Sequence, residues 1–184
     1  MDHADHVRLI RDGVDPAARR RIELGAGRGA FTLALADLLG PGAEIVAVDR
    51  EAADLSALAA TMTRRYPTTR LSTALGDFRR ALPLEPGFDG LLAANALHFV
   101  REPGAVLAAV LPLLRPGARI VVVEYDADTG NPWVPHPFSF PTWEGIAKRA
   151  GLTETRLLGR VPSRFLGAIY AAASDVPAAA NDPD

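Results

Sequence analysis

The chain has 184 residues, a formal net charge of −2, 48% hydrophobic and 23% charged residues, and no cysteine. That length suits one domain around one sizeable core, and the pI of about 6.1 offers no broad basic surface for a phosphate backbone. Disulfides, thiolate metal sites and a cysteine nucleophile are excluded, the acidic N-terminus MDHADHVRLI does not read as a signal peptide,, and no apolar run reaches the roughly 18 residues of a membrane span. The expectation is a soluble cytoplasmic protein, monomer or homodimer, with neither nucleic acid nor membrane as partner.

In chain order, Val7–Arg11 reads as a short helix and Arg21–Leu24 as a brief strand running into a Gly-rich loop. Phe31–Leu39 has helical apolar spacing and stops at Gly40-Pro41-Gly42,. Glu44–Val48 is a buried strand ending at Asp49, and Ala52–Arg65 a helix closed by Pro67. A weak third strand, Arg70–Ala74, precedes Gly76-Asp77-Phe78; Phe88–Ala94 is the fourth. Ala105–Leu114 is a helix ended by Arg115-Pro116-Gly117, and Arg119–Glu124 the fifth strand. This alternation predicts a parallel sheet covered on both faces.

The order then changes. Gly130–Pro141 holds too many prolines for regular structure, and Thr142–Ala150 reads as a helix. Glu154–Gly159 and Phe165–Ala171 read as strands, and their short link requires an antiparallel pair,. Residues 175–184, DVPAAANDPD, are expected to be a disordered tail,.

Residues 23–32, ELGAGRGAFT, admit two nucleotides. A Gly loop between strand and helix lets a ligand approach the backbone. Asp49, 24 residues after Gly25, is placed to accept bonds from ribose hydroxyls,. Both features suit NAD and S-adenosylmethionine alike. Glu23 separates them: a carboxylate there repels a pyrophosphate and attracts a cationic amino group. Asp77 can accept from an adenine amino group, with Phe78 on the ring. No Tyr-x-x-x-Lys pair of single-domain reductases is present.

From about Arg21 to Ala173 the sequence resembles the class I S-adenosylmethionine-dependent methyltransferases of the small single-domain type. ELGAGRG resembles the family's first motif, VAVDRE its second, LGDF its adenine-contact motif, FDGLLAANALHFV its fourth-strand motif and LRPGARIVVVEYD its fifth. The resemblance implies a Rossmann-like three-layer α/β sandwich. Its seven-stranded, mostly parallel sheet would have the order 3-2-1-4-5-7-6, with strand 7 antiparallel. Residues 1–174 would form one domain, with 1–20 lying over the site. Glu23, Gly25, Ala26, Gly27 and Gly29 would approach the methionine part of the donor. Asp49 would take the ribose, with Arg50 beside the adenine. Gly76, Asp77 and Phe78 would hold the adenine. Asn95 would lie beside the sulfonium.

The implied reaction is methyl transfer to a small-molecule acceptor by in-line displacement, in which the protein aligns reactants and excludes water. The competing readings are a nucleotide-binding regulator without turnover and an NAD-dependent reductase. If the acceptor must lose a proton, His98 is the candidate base, with Asn95 and Glu124 as further catalytic candidates. Glu124 and Asp126 are expected to face the same opening. Tyr125, Trp133, His136 and Phe138 are candidates for the acceptor pocket, on a segment stiffened by Pro132, Pro135 and Pro137,. His3 and His6 are expected to reach it from the N-terminal helix. DHADH could ligate a metal, but no metal site is expected.

Overall fold

In the computed structural model, which describes residues 1–179, the strands form one seven-stranded sheet. They are β1 (Arg20–Leu24), β2 (Glu44–Asp49), β3 (Arg70–Leu75), β4 (Phe88–Ala94), β5 (Leu114–Tyr125), β6 (Thr153–Pro162) and β7 (Ala168–Asp175). Their order is β3-β2-β1-β4-β5-β7-β6. β1 to β5 pair in parallel, and β7 runs antiparallel to β5 and β6. This is the order and direction the sequence resemblance implies.

The near-continuous apolar strands are explained by burial on both faces. Along β5, Val121 and Val123 face one core with Phe31, Leu35, Leu55 and Leu58. Ile120 and Val122 face the other with Val106, Leu107, Trp143 and Ile146. The first layer is α1 (His3–Ile10), α2 (Ala30–Leu39) and α3 (Ala52–Arg65); the second is α4 (Pro103–Val110) and α5 (Phe140–Arg149).

Several boundaries move for local reasons. The expected helix to Leu114 ends at Val110 and tightens into a 3₁₀ turn, Leu111–Leu113, because Pro112 has no N–H to return to the preceding turn. α5 starts two residues early because the Ser139 side chain caps it, accepting from Thr142 N,. The last strand spans Ala168–Asp175 rather than Phe165–Ala171, because Ser163 N bonds Gly167 O at 2.9 Å and closes the hairpin loop three residues further along. Asp175, read as the start of the tail, is thus in the sheet, where it receives Arg119 Nε at 2.6 Å. Residues 180–184 of that tail lie outside the described residues.

The N-terminal helix is longer than expected, and DHADH builds its first turn. Asp2 and Asp5 form a reciprocal capping box,, and Asp5 also pairs with Arg8 at 2.5 Å. α1 packs on α2 and the β6–β7 edge and buries Leu9 and Ile10.

Arg21 is 2% exposed, with Nε on Ala18 O and Nη2 on Asp15 O, both at 3.0 Å. Burial lowers its pKa. Its guanidinium crosses the sheet over Gly90, where a Cβ would strike Arg21 Nη1 and lie 2.7 Å from Arg119 O. Gly90→Ala is therefore expected to destabilise by about 1–3 kcal/mol, read as a lower urea midpoint at unchanged slope.

Candidate active site

The carboxyl ends of β1 to β4 surround a cleft of about 320 Å³, lined among others by Gly25, Asp49, Asp77, Phe78, Asn95 and Phe99. Gly25 has φ +69°, and a Cβ there would lie 2.7 Å from Ala96 Cβ, so glycine is required where the first and fourth loops touch,. Four of the loop's amides are already spent. Gly25 N and Ala26 N donate to Val48 O at 2.9 and 3.1 Å, and Gly29 N to Ala26 O at 2.9 Å. Gly27 N donates to Asp49 Oδ2 at 2.7 Å. Asp49 Oδ1 accepts from Glu51 N at 2.9 Å, fixing the carboxylate at the lip of the cleft.

Glu23 is not on that lip. It is 2% exposed, lies behind the loop and accepts from Thr32 Oγ1 at 2.6 Å. Burial pushes its carboxyl up to about 8, against the bond from Thr32 and with further help from Asp49. It therefore favours the neutral form at pH 7, and the expected repulsion of a pyrophosphate by an exposed Glu23 does not hold in this geometry. The lining charges make the distinction instead. Asp49, Glu51 and Asp77 face the cleft with only Arg50 and Arg79 as cations. Arg50 pairs with Glu51 at 3.4 Å and Arg79 with Asp77 at 2.6 Å. Nothing in that lining calls for a phosphate, while carboxylate acceptors suit hydroxyl, amino and cationic groups.

After β4, Asn95 adopts φ +50°, unusual outside glycine,. Its N donates to Val123 O at 2.7 Å. Its Oδ1 is buried without a partner, an acceptor in the cleft wall awaiting a donor. The turn that follows is held by Glu124, which is fully buried. Glu124 Oε1 accepts from the backbone N of Ala96, Leu97 and His98 at 3.1, 2.8 and 3.2 Å. Oε2 meets His98 Nδ1 at 2.8 Å. Glu124 thus does not face open solvent, nor does Asp126 serve the cleft. Asp126 accepts from Phe140 N at 2.9 Å and Arg160 Nε at 2.6 Å.

His98 is 3% exposed, between Phe99 at 4.2 Å and Tyr125, edge-on at 5.3 Å. His136 N donates to His98 O at 2.9 Å, docking the proline-rich segment on this turn. Trp133 is 70% exposed on the same segment. Phe138 is buried in the core, stacked on Trp143 at 6.0 Å, and does not line the cleft. The N-terminal histidines do not gather there either. His3 Nε2 bonds Asp37 Oδ2 at 2.5 Å, and His6 packs on Phe31 at 4.6 Å. None of residues 1–20 lines the cleft.

The cleft has further lining residues to which the sequence reading gave no role: Glu51, Arg79, Ala96, Phe99 and Val100. Four of them stand inside the quoted motifs and Arg79 directly follows LGDF, so proximity in sequence was the available signal. Thr32, the partner of Glu23, lies one helical turn past the Gly loop and carried no such signal. With acceptors at Asp49, Asp77 and Asn95 and a ring at Phe78, the residues fit a purine nucleoside bearing a cationic tail.

Residues 17–147 match the family described as Methyltransferase domain. An uncharacterized methyltransferase of Mycobacterium tuberculosis is 34% identical over 119 residues, 64% of this chain and 44% of that protein. A demethylmenaquinone methyltransferase of Beutenbergia cavernae is 33% identical over 117 residues, 63% and 43% of the two chains. The chain spans less than half the length of these curated relatives. The N-terminal domain of EvdMO1, crystallised in the presence of SAH and D-fucose, superimposes with a TM-score of 0.71 at 22% identity, over 96% of this chain and 83% of that one. At that identity the likeness is one of fold.

Glu23 also predicts a pH effect. A carboxyl whose folded pKa is raised from 4.5 to about 8 stabilises the fold fully below its unfolded pKa. That contribution is lost as pH rises towards 8. Between pH 5 and 9 the protein should lose roughly 2–4 kcal/mol of unfolding free energy from this group. Glu23→Gln should flatten the decline. Urea melts of both proteins at pH 5, 7 and 9 check this; parallel curves would refute it.

Proposed function

This chain belongs to the methyltransferase-domain family, of the class I kind that uses S-adenosylmethionine, and on that premise we propose that it methylates a small-molecule acceptor. The observation that carries the reading is the cleft at the carboxyl strand ends. Its lining is rich in acceptors, and four Gly-loop amides beside it are spent on Val48, Asp49 and Ala26. Among the described residues no helix is long and apolar enough to cross a membrane.

Bound S-adenosylmethionine supplies a methyl group on a positively charged sulfur, already activated for displacement. The chain's residues then have three tasks. Asp49, Asp77 and Phe78 hold the nucleoside. Asn95, with its unpartnered oxygen on the cleft wall, orients the cationic end. His98 takes a proton from the acceptor where the acceptor must lose one. With Nδ1 committed to Glu124, Nε2 is the nitrogen left for that task. An ionised Glu124 requires the proton on Nδ1, so Nε2 is the basic nitrogen. Glu124 acts here as a positioning residue, not as a base. Trp133, exposed on the segment docked at His98, marks the side from which an apolar or aromatic acceptor arrives.

His98→Ala is expected to lower kcat by about 10²–10⁴-fold, while affinity for S-adenosylhomocysteine stays within about threefold. Calorimetric titration with S-adenosylhomocysteine shows in the same sample that the variant is folded. Undiminished turnover would remove His98 from the mechanism.

A further inference from the structure

Asp77 reaches the cleft with its carboxylate clamped by the residue two places on. Oδ1 accepts from the backbone N of Arg79 at 3.0 Å and from Nε at 2.9 Å. Oδ2 accepts from Nε at 3.0 Å and Nη2 at 2.6 Å. Both side chains line the cleft, with Phe78 between them in sequence.

An ionised carboxylate offers about four acceptor positions. Three hydrogens reach it: the backbone N–H on Oδ1, an Nη2–H on Oδ2, and the single Nε–H, which is shared between the two oxygens and lies nearer Oδ1. Three donors to about four positions leave room for one more, on Oδ2. The fork fixes the carboxylate plane, which a lysine in its place would not do. The bond to Arg79 also holds Asp77 down at about 2, so the group only accepts over the physiological pH range.

We propose that Arg79 determines purine specificity in the donor site: by pinning Asp77 with one open acceptor position, it selects a 6-amino purine over a 6-oxo purine. The inference rests on the S-adenosylmethionine reading above. An adenine amino group donates to the open position on Oδ2. A 6-oxo group presents an acceptor to an acceptor, and ionised Asp77 has no proton to offer. The 6-oxo purine does carry an N–H at the adjacent ring position. A free carboxylate could turn or shift to meet it; a forked one is held in place. Losing Arg79 should therefore erase the discrimination more than the binding.

The test is calorimetric titration of S-adenosylhomocysteine and its 6-oxo analogue, S-inosylhomocysteine, into the wild-type chain, Arg79→Ala and Arg79→Lys. Arg79 is half exposed, so neither variant threatens the fold,. The wild type should prefer the 6-amino ligand by about 10- to 100-fold. In Arg79→Ala the preference should fall to within about threefold, with Arg79→Lys in between. An Arg79→Ala protein that keeps the wild-type preference overturns the role of Arg79. A wild type that binds both ligands equally overturns the role of Asp77 as reader and leaves the donor reading standing. A wild type that binds neither ligand overturns the donor reading and the proposal with it.

Discussion

The carboxylate of Glu124 is the interaction on which the geometry of the cleft depends. It is fully buried at the end of β5 and gathers three successive backbone N–H groups and the imidazole of His98. A buried charge is costly unless its lone pairs are filled, and here both oxygens are bonded. The same bonds place Ala96 against Gly25 and leave Asn95 at positive φ with its side chain in the cleft wall. The width of the cleft between its first and fourth loops is therefore set from underneath, by a residue that does not line it.

Two other carboxylates divide the work on the nucleotide side. Asp49, at the lip, spends one bond on Gly27 and one on Glu51, which shapes the loop while leaving acceptor capacity outward. Glu23, one layer deeper, meets Thr32 and favours its neutral form. Charge at the mouth and neutrality behind it let the Gly loop pack tightly on α2 without two anions facing each other across the turn. The raised pKa of Glu23, to which Asp49 contributes, is the trace of that arrangement.

The parallel strands and the antiparallel final pair were legible from periodic apolar runs and link lengths, which are local facts, whereas the strand order came from the family resemblance. Gly25, Asp49, Asp77, Phe78 and Asn95 were legible because each stands just past a strand end, and in a parallel sheet those ends meet. The state of Glu23 was not legible. Its position two residues before Gly25 is evident, but its burial depends on Thr32 from the following helix. Glu124 reads as a carboxylate at a strand end facing an opening, yet its true partners are backbone N–H groups, which no sequence pattern displays. Phe138 and His3 were misplaced for a related reason: an aromatic ring or a histidine in an irregular segment is equally suited to a pocket, a core or a surface pair. Trp143 and Asp37 decided those cases.

On the proposed reading, the acceptor side follows a different rule from the donor side. The donor cleft is shaped mostly by backbone at strand ends, so it comes with the fold. The acceptor side is shaped by side chains on a segment with no regular structure. Asn131 caps Trp133 N and Val134 N and donates to Phe165 O at 3.1 Å. Asp128 holds Ser139 through two bonds of 2.9 Å. Val134 and Phe138 are sunk in opposite cores, and His136 is tied to the turn at His98. A segment fastened at so many points is rigid without being helical or extended, and only its outward residues are free to differ. Trp133 is such a residue, and it can change without disturbing the ties beneath it. If that segment receives the acceptor, as proposed, what holds the donor is separate from what chooses the acceptor, which is how one fold can serve many acceptors.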